Sequence, residues 1–122
     1  MDKPTMNTHN TINYLEYQAS DMAATEAFFT QVFSWKFTPY GAEYNAFSSP
    51  TIEGGFYLGD KKSRVDSGAA LTVFYSETLE QTQEQIIQAG GKIVMEIFPF
   101  PGGRRFHFTE PSGNEFAVWS DR

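Results

Sequence analysis

The sequence predicts an α+β fold built from two consecutive βαβββ modules. The chain has 122 residues, enough for one domain or two small joined ones. Strand and helix patterns run in the order β-α-β-β-β twice, and the two stretches align on each other, so an internal repeat organises the whole chain. Apolar residues make up 40%, with 12 Phe, 6 Tyr and 2 Trp, which supplies a core and argues against a disordered chain.

Residues 12–18 are rich in β-branched and aromatic side chains and read as the first strand. Ser20-Asp21 then offers an N-cap to a helix with Met22, Ala23, Ala27, Phe28, Phe29, Val32 and Phe33 on an apolar stripe. Residues 35–40, 43–48 and 52–59 follow as short strands, punctuated by Pro39, Gly41 and Ser49-Pro50. The second copy opens with a strand at 69–75. Thr78-x-x-Gln81 resembles a capping box for a helix carrying Leu79, Ile86 and Ile87, and Gly90-Gly91 ends it. Residues 92–97, 104–109 and 114–120 supply the last strands, with turns at Pro99, Pro101, Gly102-Gly103 and Pro111-Ser112-Gly113.

Asp21 falls on Glu77, and Phe33-Ser34-Trp35-Lys36 on Ala89-Gly90-Gly91-Lys92. Phe47-Ser48-Ser49-Pro50 falls on Phe108-Thr109-Glu110-Pro111, after which both copies run ungapped to Asp60 and Asp121. The expected organisation is a first module at 11–60, a polar linker at 61–68 and a second module at 69–121, together forming one domain.

Nine Lys+Arg against fifteen Asp+Glu leave a formal charge of -6, which repels phosphate backbones and anionic lipid; neither nucleic acid nor membrane is an expected partner. Without cysteine, disulfide scaffolds and thiolate zinc sites are excluded. No apolar stretch nears the roughly 20 residues that span a bilayer, and residues 1–10 are polar without a signal-like apolar run, so a cytoplasmic protein is expected. His9 and His107 are the only imidazoles and neither has a partner at metal-ligand spacing. Nucleophilic triads and nucleotide loops are lacking, and no cofactor is implied.

The stretch from Tyr14 to Trp35, with its strand, Asp21 and Phe28-Phe29 helix ending in Phe33-Ser34-Trp35, and the stretch from Gly103 to Trp119 with Glu110-Pro111-Ser112-Gly113-Asn114, resemble the vicinal oxygen chelate (VOC) superfamily of glyoxalase I, bleomycin-resistance proteins and extradiol dioxygenases. Glu110 replaces the family's Asp, Ser34 its Gly and Phe29 its Tyr. The resemblance implies a curled mixed-sheet cup, a homodimer, and metal ligands on the first and last strand of each module. Alignment carries those four positions onto Tyr14, Phe56, Ala70 and Ala117, none of which suits a metal, so a metal-free protein is expected.

Strand parity then selects the cup's lining. Tyr14 and Glu16 share a face, as do Ala70 and Thr72, Ala117 and Trp119, and Arg105 and His107, while Phe106 and Phe108 face a helix. Tyr44, Tyr57 and Phe56 would add an aromatic wall, and Glu115, beside a turn, is expected to face solvent. The first reading is a binding module for a small organic molecule in an acidic, aromatic cup, with Glu16 as charge partner to a cationic or aromatic ligand. The second is a lyase or isomerase of glyoxalase type using Glu16 or His107 as general base. The third is a structural or regulatory dimer without ligand.

Overall fold

The computed structural model describes residues 7–122, so the first part of the polar N-terminal stretch lies outside the described residues. The elements are β1 (Tyr14–Ala19), α1 (Met22–Phe33), β2 (Lys36–Pro39), β3 (Tyr44–Ser48), β4 (Glu53–Leu58), a short 3-10 turn (Val65–Ser67), β5 (Thr72–Tyr75), α2 (Leu79–Gln88), β6 (Lys92–Phe100), β7 (Gly103–Thr109) and β8 (Glu115–Ser120). They form two four-stranded mixed sheets, ordered β1-β4-β3-β2 and β5-β8-β7-β6, which do not close on each other. In each sheet the first and last strands of the module run parallel and the other neighbours antiparallel.

Local chemistry sets the ends of these elements. Asp21 accepts the Ala24 N–H at 3.1 Å and caps α1, which ends where Ser34 takes a left-handed conformation. At α2 the expected capping box does not form: Thr78 is the N-cap but its side chain caps nothing, and its own N–H bonds to Ser76 Oγ at 3.0 Å. Pro99, expected in a turn, lies inside β6, opposite Arg104. β6 is an edge strand, where a proline's missing N–H is tolerated.

One face of each sheet packs against the helices. Phe29 of α1 stacks on Trp35 at 4.4 Å, Trp35 on Phe47 at 4.0 Å, and the neighbouring turns of α1 carry Phe28 to Phe108 and Phe33 to Phe74. A single helix therefore contributes rings to both sheets, and the core is continuous across the repeat. Burying an aromatic ring of this kind stabilises by about 1.5–3 kcal/mol.

Polar bonds reinforce the junction. The Tyr17 hydroxyl lies 2.6 Å from Thr72 Oγ1, bridging β1 and β5. Glu110, almost fully buried, accepts from Thr25 Oγ1 at 2.6 Å, from the Ser112 and Asn114 N–H groups and from Asn114 Nδ2, which also donates to the Gln18 carbonyl. Burial pushes the Glu110 carboxyl above its ordinary range, and these bonds offset part of that rise. The turn 110–114 thus fastens the second module to the start of α1, with Gly113 at φ 93 supplying the left-handed turn residue.

Candidate functional site

The face of each sheet turned away from the helices is open, and alternation decides what it carries. On the second sheet β7 contributes Arg105 and His107, β8 contributes Glu115, Ala117 and Trp119, β5 contributes Val73 and Tyr75, and Phe98 and Phe100 arrive from β6. His107 Nδ1 lies 2.9 Å from Glu115 Oε2, and Arg105 Nη2 lies 2.8 Å from His107 Nε2. A guanidinium only donates, so Nε2 must carry the lone pair and Nδ1 the proton, which it donates to Glu115. The other Glu115 oxygen accepts the Val65 N–H at 3.0 Å and Arg64 Nε at 3.3 Å.

His107 and Glu115 are only 5% and 6% exposed, so this chain is dry at its centre. Burial opposes the ionisation of Glu115, yet the bonds from His107, Val65 and Arg64 outweigh it and hold the carboxyl below its ordinary range. At the outer end the Arg105 guanidinium sits over Phe98 and Phe100, 5.6 and 5.9 Å from their ring centres. Together with Val73, Phe100, Gly102 and Trp119 it lines a recess of about 300 Å³. Its Nε is buried without an acceptor, and among the described residues no carboxylate pairs with Arg105.

The first sheet's open face has different chemistry. Tyr44 donates to Glu16 Oε2 at 2.9 Å and therefore accepts from the Tyr14 hydroxyl, 2.6 Å away. Burial, and then the bonds from Tyr14 and to Glu16, push the Tyr44 phenol well above its ordinary range. A Cβ on Gly55 would come within 2.1 Å of the Tyr44 hydroxyl, so the absent side chain makes room for this chain of phenols. Glu16 lines a second recess of about 280 Å³, shared with Gln18, Tyr57, Lys61 and Lys62.

Tyr14 and Glu16 thus lie on the first open face, and Arg105, His107, Ala117 and Trp119 on the second. Three candidates lie elsewhere. Phe56 is in the core, stacked near Tyr17 at 5.4 Å, because the β3–β4 connection has one residue fewer (49–52) than the β7–β8 connection (110–114). That difference shifts the repeat by one place, so Gly55, not Phe56, matches Ala117. Thr72 turns toward Tyr17, and Ala70 precedes β5, because α2 is capped by Thr78 instead of starting from Glu77. The residues facing outward on β5 are therefore Val73 and Tyr75.

Glu16 and Arg105 line separate recesses, and His107 lines neither of the two. Glu115 is buried instead of facing solvent, because it is diagonal to His107 across the β7–β8 pair and is reached by Arg64 from the linker. Antiparallel pairing around the turn was the signal for the His107–Glu115 contact. Nothing local in the sequence marks Arg64 or Phe98 as its neighbours.

Residues 11–118 match the family model of the Glyoxalase/Bleomycin resistance protein/Dioxygenase superfamily. The chain belongs to this superfamily. Among solved structures, this VOC chain is similar to a glyoxalase/bleomycin resistance protein/dioxygenase family enzyme from Burkholderia phytofirmans PsJN, with a TM-score of 0.75 at 15% identity over 90% of this chain and 98% of that one. It is also similar to lactoylglutathione lyase from Agrobacterium tumefaciens, with a TM-score of 0.69 at 17% identity over 93% and 96% of the two chains. A third likeness is to a mutant of the fosfomycin resistance protein FosX from Listeria monocytogenes complexed with Mn(II) and 1S,2S-dihydroxypropylphosphonic acid, with a TM-score of 0.75 at 16% identity over 92% and 90%. No curated protein matches by sequence.

The family's metal chemistry needs donors on the first and last strand of each module. The outward residues paired there are Glu16 with Gly55, and Val73 with Ala117. One carboxylate and three side chains without donor atoms do not fit a metal that needs three or four protein ligands. Among the described residues no group of three or more His, Cys, Asp or Glu is placed to hold a metal ion. No helix among them is long and apolar enough to cross a membrane.

Proposed function

We propose that this VOC chain is a metal-independent binding module for a small organic molecule, working as a cytoplasmic homodimer in which residues 11–60 and 69–121 act as one domain. The observation that carries the reading is the buried Glu115–His107–Arg105 chain ending in an aromatic recess. Burying a carboxylate and an imidazole is costly unless each is satisfied. Here Glu115 orients His107, and the His107 Nε2 lone pair fixes one guanidinium at the mouth of a recess. Both ring nitrogens of His107 are already engaged, which argues against the lyase or isomerase reading in which it takes a proton from substrate. Glu16, on the other sheet, accepts from Tyr44 and serves as a secondary ligand contact.

The dimer is supported by the open faces, where Tyr14, Tyr57, Val73 and Tyr75 are each 40–46% exposed. A second copy laid across these residues would cover them and place the two recesses opposite new walls. Light scattering should then give twice the chain mass at tens of micromolar; a monomer removes the dimer from the proposal.

The binding reading is tested by a fragment screen on ¹⁵N-labelled protein dialysed against chelator, read by amide and indole shifts. Binders should move signals from β7, β8 and Trp119 without added metal. Absence of any binder, or binding only after a divalent metal is supplied, would overturn it.

A further inference from the structure

Building on that reading of the Arg105 recess as a ligand site, we infer that its ligand is an organic anion, a planar single-ring carboxylate held by Arg105. The sequence composition suggests the opposite, since the chain carries a formal charge of -6 and invites a cation. The local inventory differs. Arg64 and Arg105 flank one carboxylate, Glu115, and Glu115 bonds to Arg64, to the Val65 N–H and to His107. What reaches Arg105 is an uncharged imidazole nitrogen. Two guanidinium groups against one carboxylate leave positive charge unanswered, and it sits at the recess.

Geometry narrows the class further. Nη2 is committed to His107 and Nε is buried without an acceptor, while no hydrogen bond among the described residues uses Nη1, so the guanidinium holds donors that the protein does not use. A carboxylate supplies two acceptors at the spacing of the guanidinium fork, and pairs of this kind are shorter and about twice as strong as neutral hydrogen bonds. Two of the walls are aromatic: Phe100, whose ring the guanidinium overlies at 5.9 Å, and Trp119, 6.1 Å from Phe100. A recess of about 300 Å³ is at the small end for organic ligands, which fits one ring and its acid group. Since Glu115 and His107 hold the guanidinium without touching the recess, they are positioning residues.

Benzoate, benzamide and benzylammonium share a ring and differ in charge, so the three probes separate charge from shape. The chain has 2 Trp, giving two indole N–H signals: Trp119 reports the recess and the buried Trp35 reports the fold. Benzoate should shift the Trp119 signal saturably, with a Kd at least tenfold below that of benzamide, and benzylammonium should leave it in place. Arg105→Lys should weaken benzoate at least fivefold, because a point charge lacks the fork, and Arg105→Gln should abolish it, with the Trp35 signal unchanged in both. Equal affinity for benzoate and benzamide, or a preference for benzylammonium, would overturn the anion class while leaving the recess a ligand site. If none of the three moves Trp119, the inference fails, and failure of the broader fragment screen as well would remove the binding reading beneath it.

Discussion

Gly55 and Ala117 occupy the same place in the repeat, opposite Glu16 and Val73, yet the two open faces around them carry opposite chemistry. Around Gly55 a carboxylate sits exposed among phenols, each of which can rotate away from it. Around Ala117 a carboxylate is buried, fully bonded, and used to hold a histidine and then an arginine. The backbone and its pairing are alike; burial is what differs. A polar group in water is positioned loosely because solvent competes for every bond, whereas a satisfied group in a dry site has one arrangement. The second face is therefore the one built to present a charge at a fixed point.

The largest expected effect follows from that difference. Glu115→Ala leaves the His107 Nδ1–H, the Val65 N–H and Arg64 without their acceptor and should cost about 3 kcal/mol or more in urea unfolding. Glu16→Ala, on the exposed face, should stay within about 0.5 kcal/mol. Similar costs for the two substitutions would erase the contrast.

Acid sharpens the contrast. The Glu115 carboxyl is held below its ordinary range, so the stability it contributes is present above the unfolded value of about 4.3 and is lost as pH falls through the folded value. The gap between the native chain and Glu115→Gln should be full at pH 6 and shrink below about pH 4. Glu110 has the opposite sign: its carboxyl is raised, so its contribution is present below the unfolded value and is lost as pH rises through the folded one. For Glu110→Gln the gap should widen on acidification. Urea midpoints at four pH values decide both, and parallel pH profiles for the two variants would contradict the assignments.

Gly55→Ala should have a smaller effect. The new methyl would meet the far end of the Tyr44 side chain, which can swing outward, so the loss should be about 1 kcal/mol, that of a net hydrogen bond. Ultraviolet titration should show the Tyr44 phenol returning toward its ordinary range. A clash that could not be relieved would instead unfold the module. Smallest of all, Glu16→Gln should change benzoate affinity at the Arg105 recess less than twofold, since Glu16 lines a different one.

The element order was legible in the sequence because it rests on patterns many residues long, Phe28, Phe29 and Phe33 on one helix stripe and alternation along 104–109 and 114–120, while the mixed sheets were legible only through the family resemblance. The site was legible only in part because it depends on single-residue parity. One residue fewer at 49–52 moved Phe56 into the core, and a cap at Thr78 instead of Glu77 exchanged Thr72 for Val73. Arg105 and His107 were readable as neighbours on one strand, but their charge environment was not. Arg64 comes from the linker, and Phe98 faces Arg105 only through the shifted register of β6 against β7.

Glu115 and Arg105 lock His107 between them. The chain has 2 His, so long-range ¹H–¹⁵N correlation of the imidazoles gives two patterns, with exposed His9 as the internal reference. At neutral pH the structure predicts that His107 is the Nδ1–H tautomer, its proton slow to exchange and its Nε2 unprotonated. An Nε2–H tautomer, or a ring averaging fast between tautomers, would contradict this arrangement.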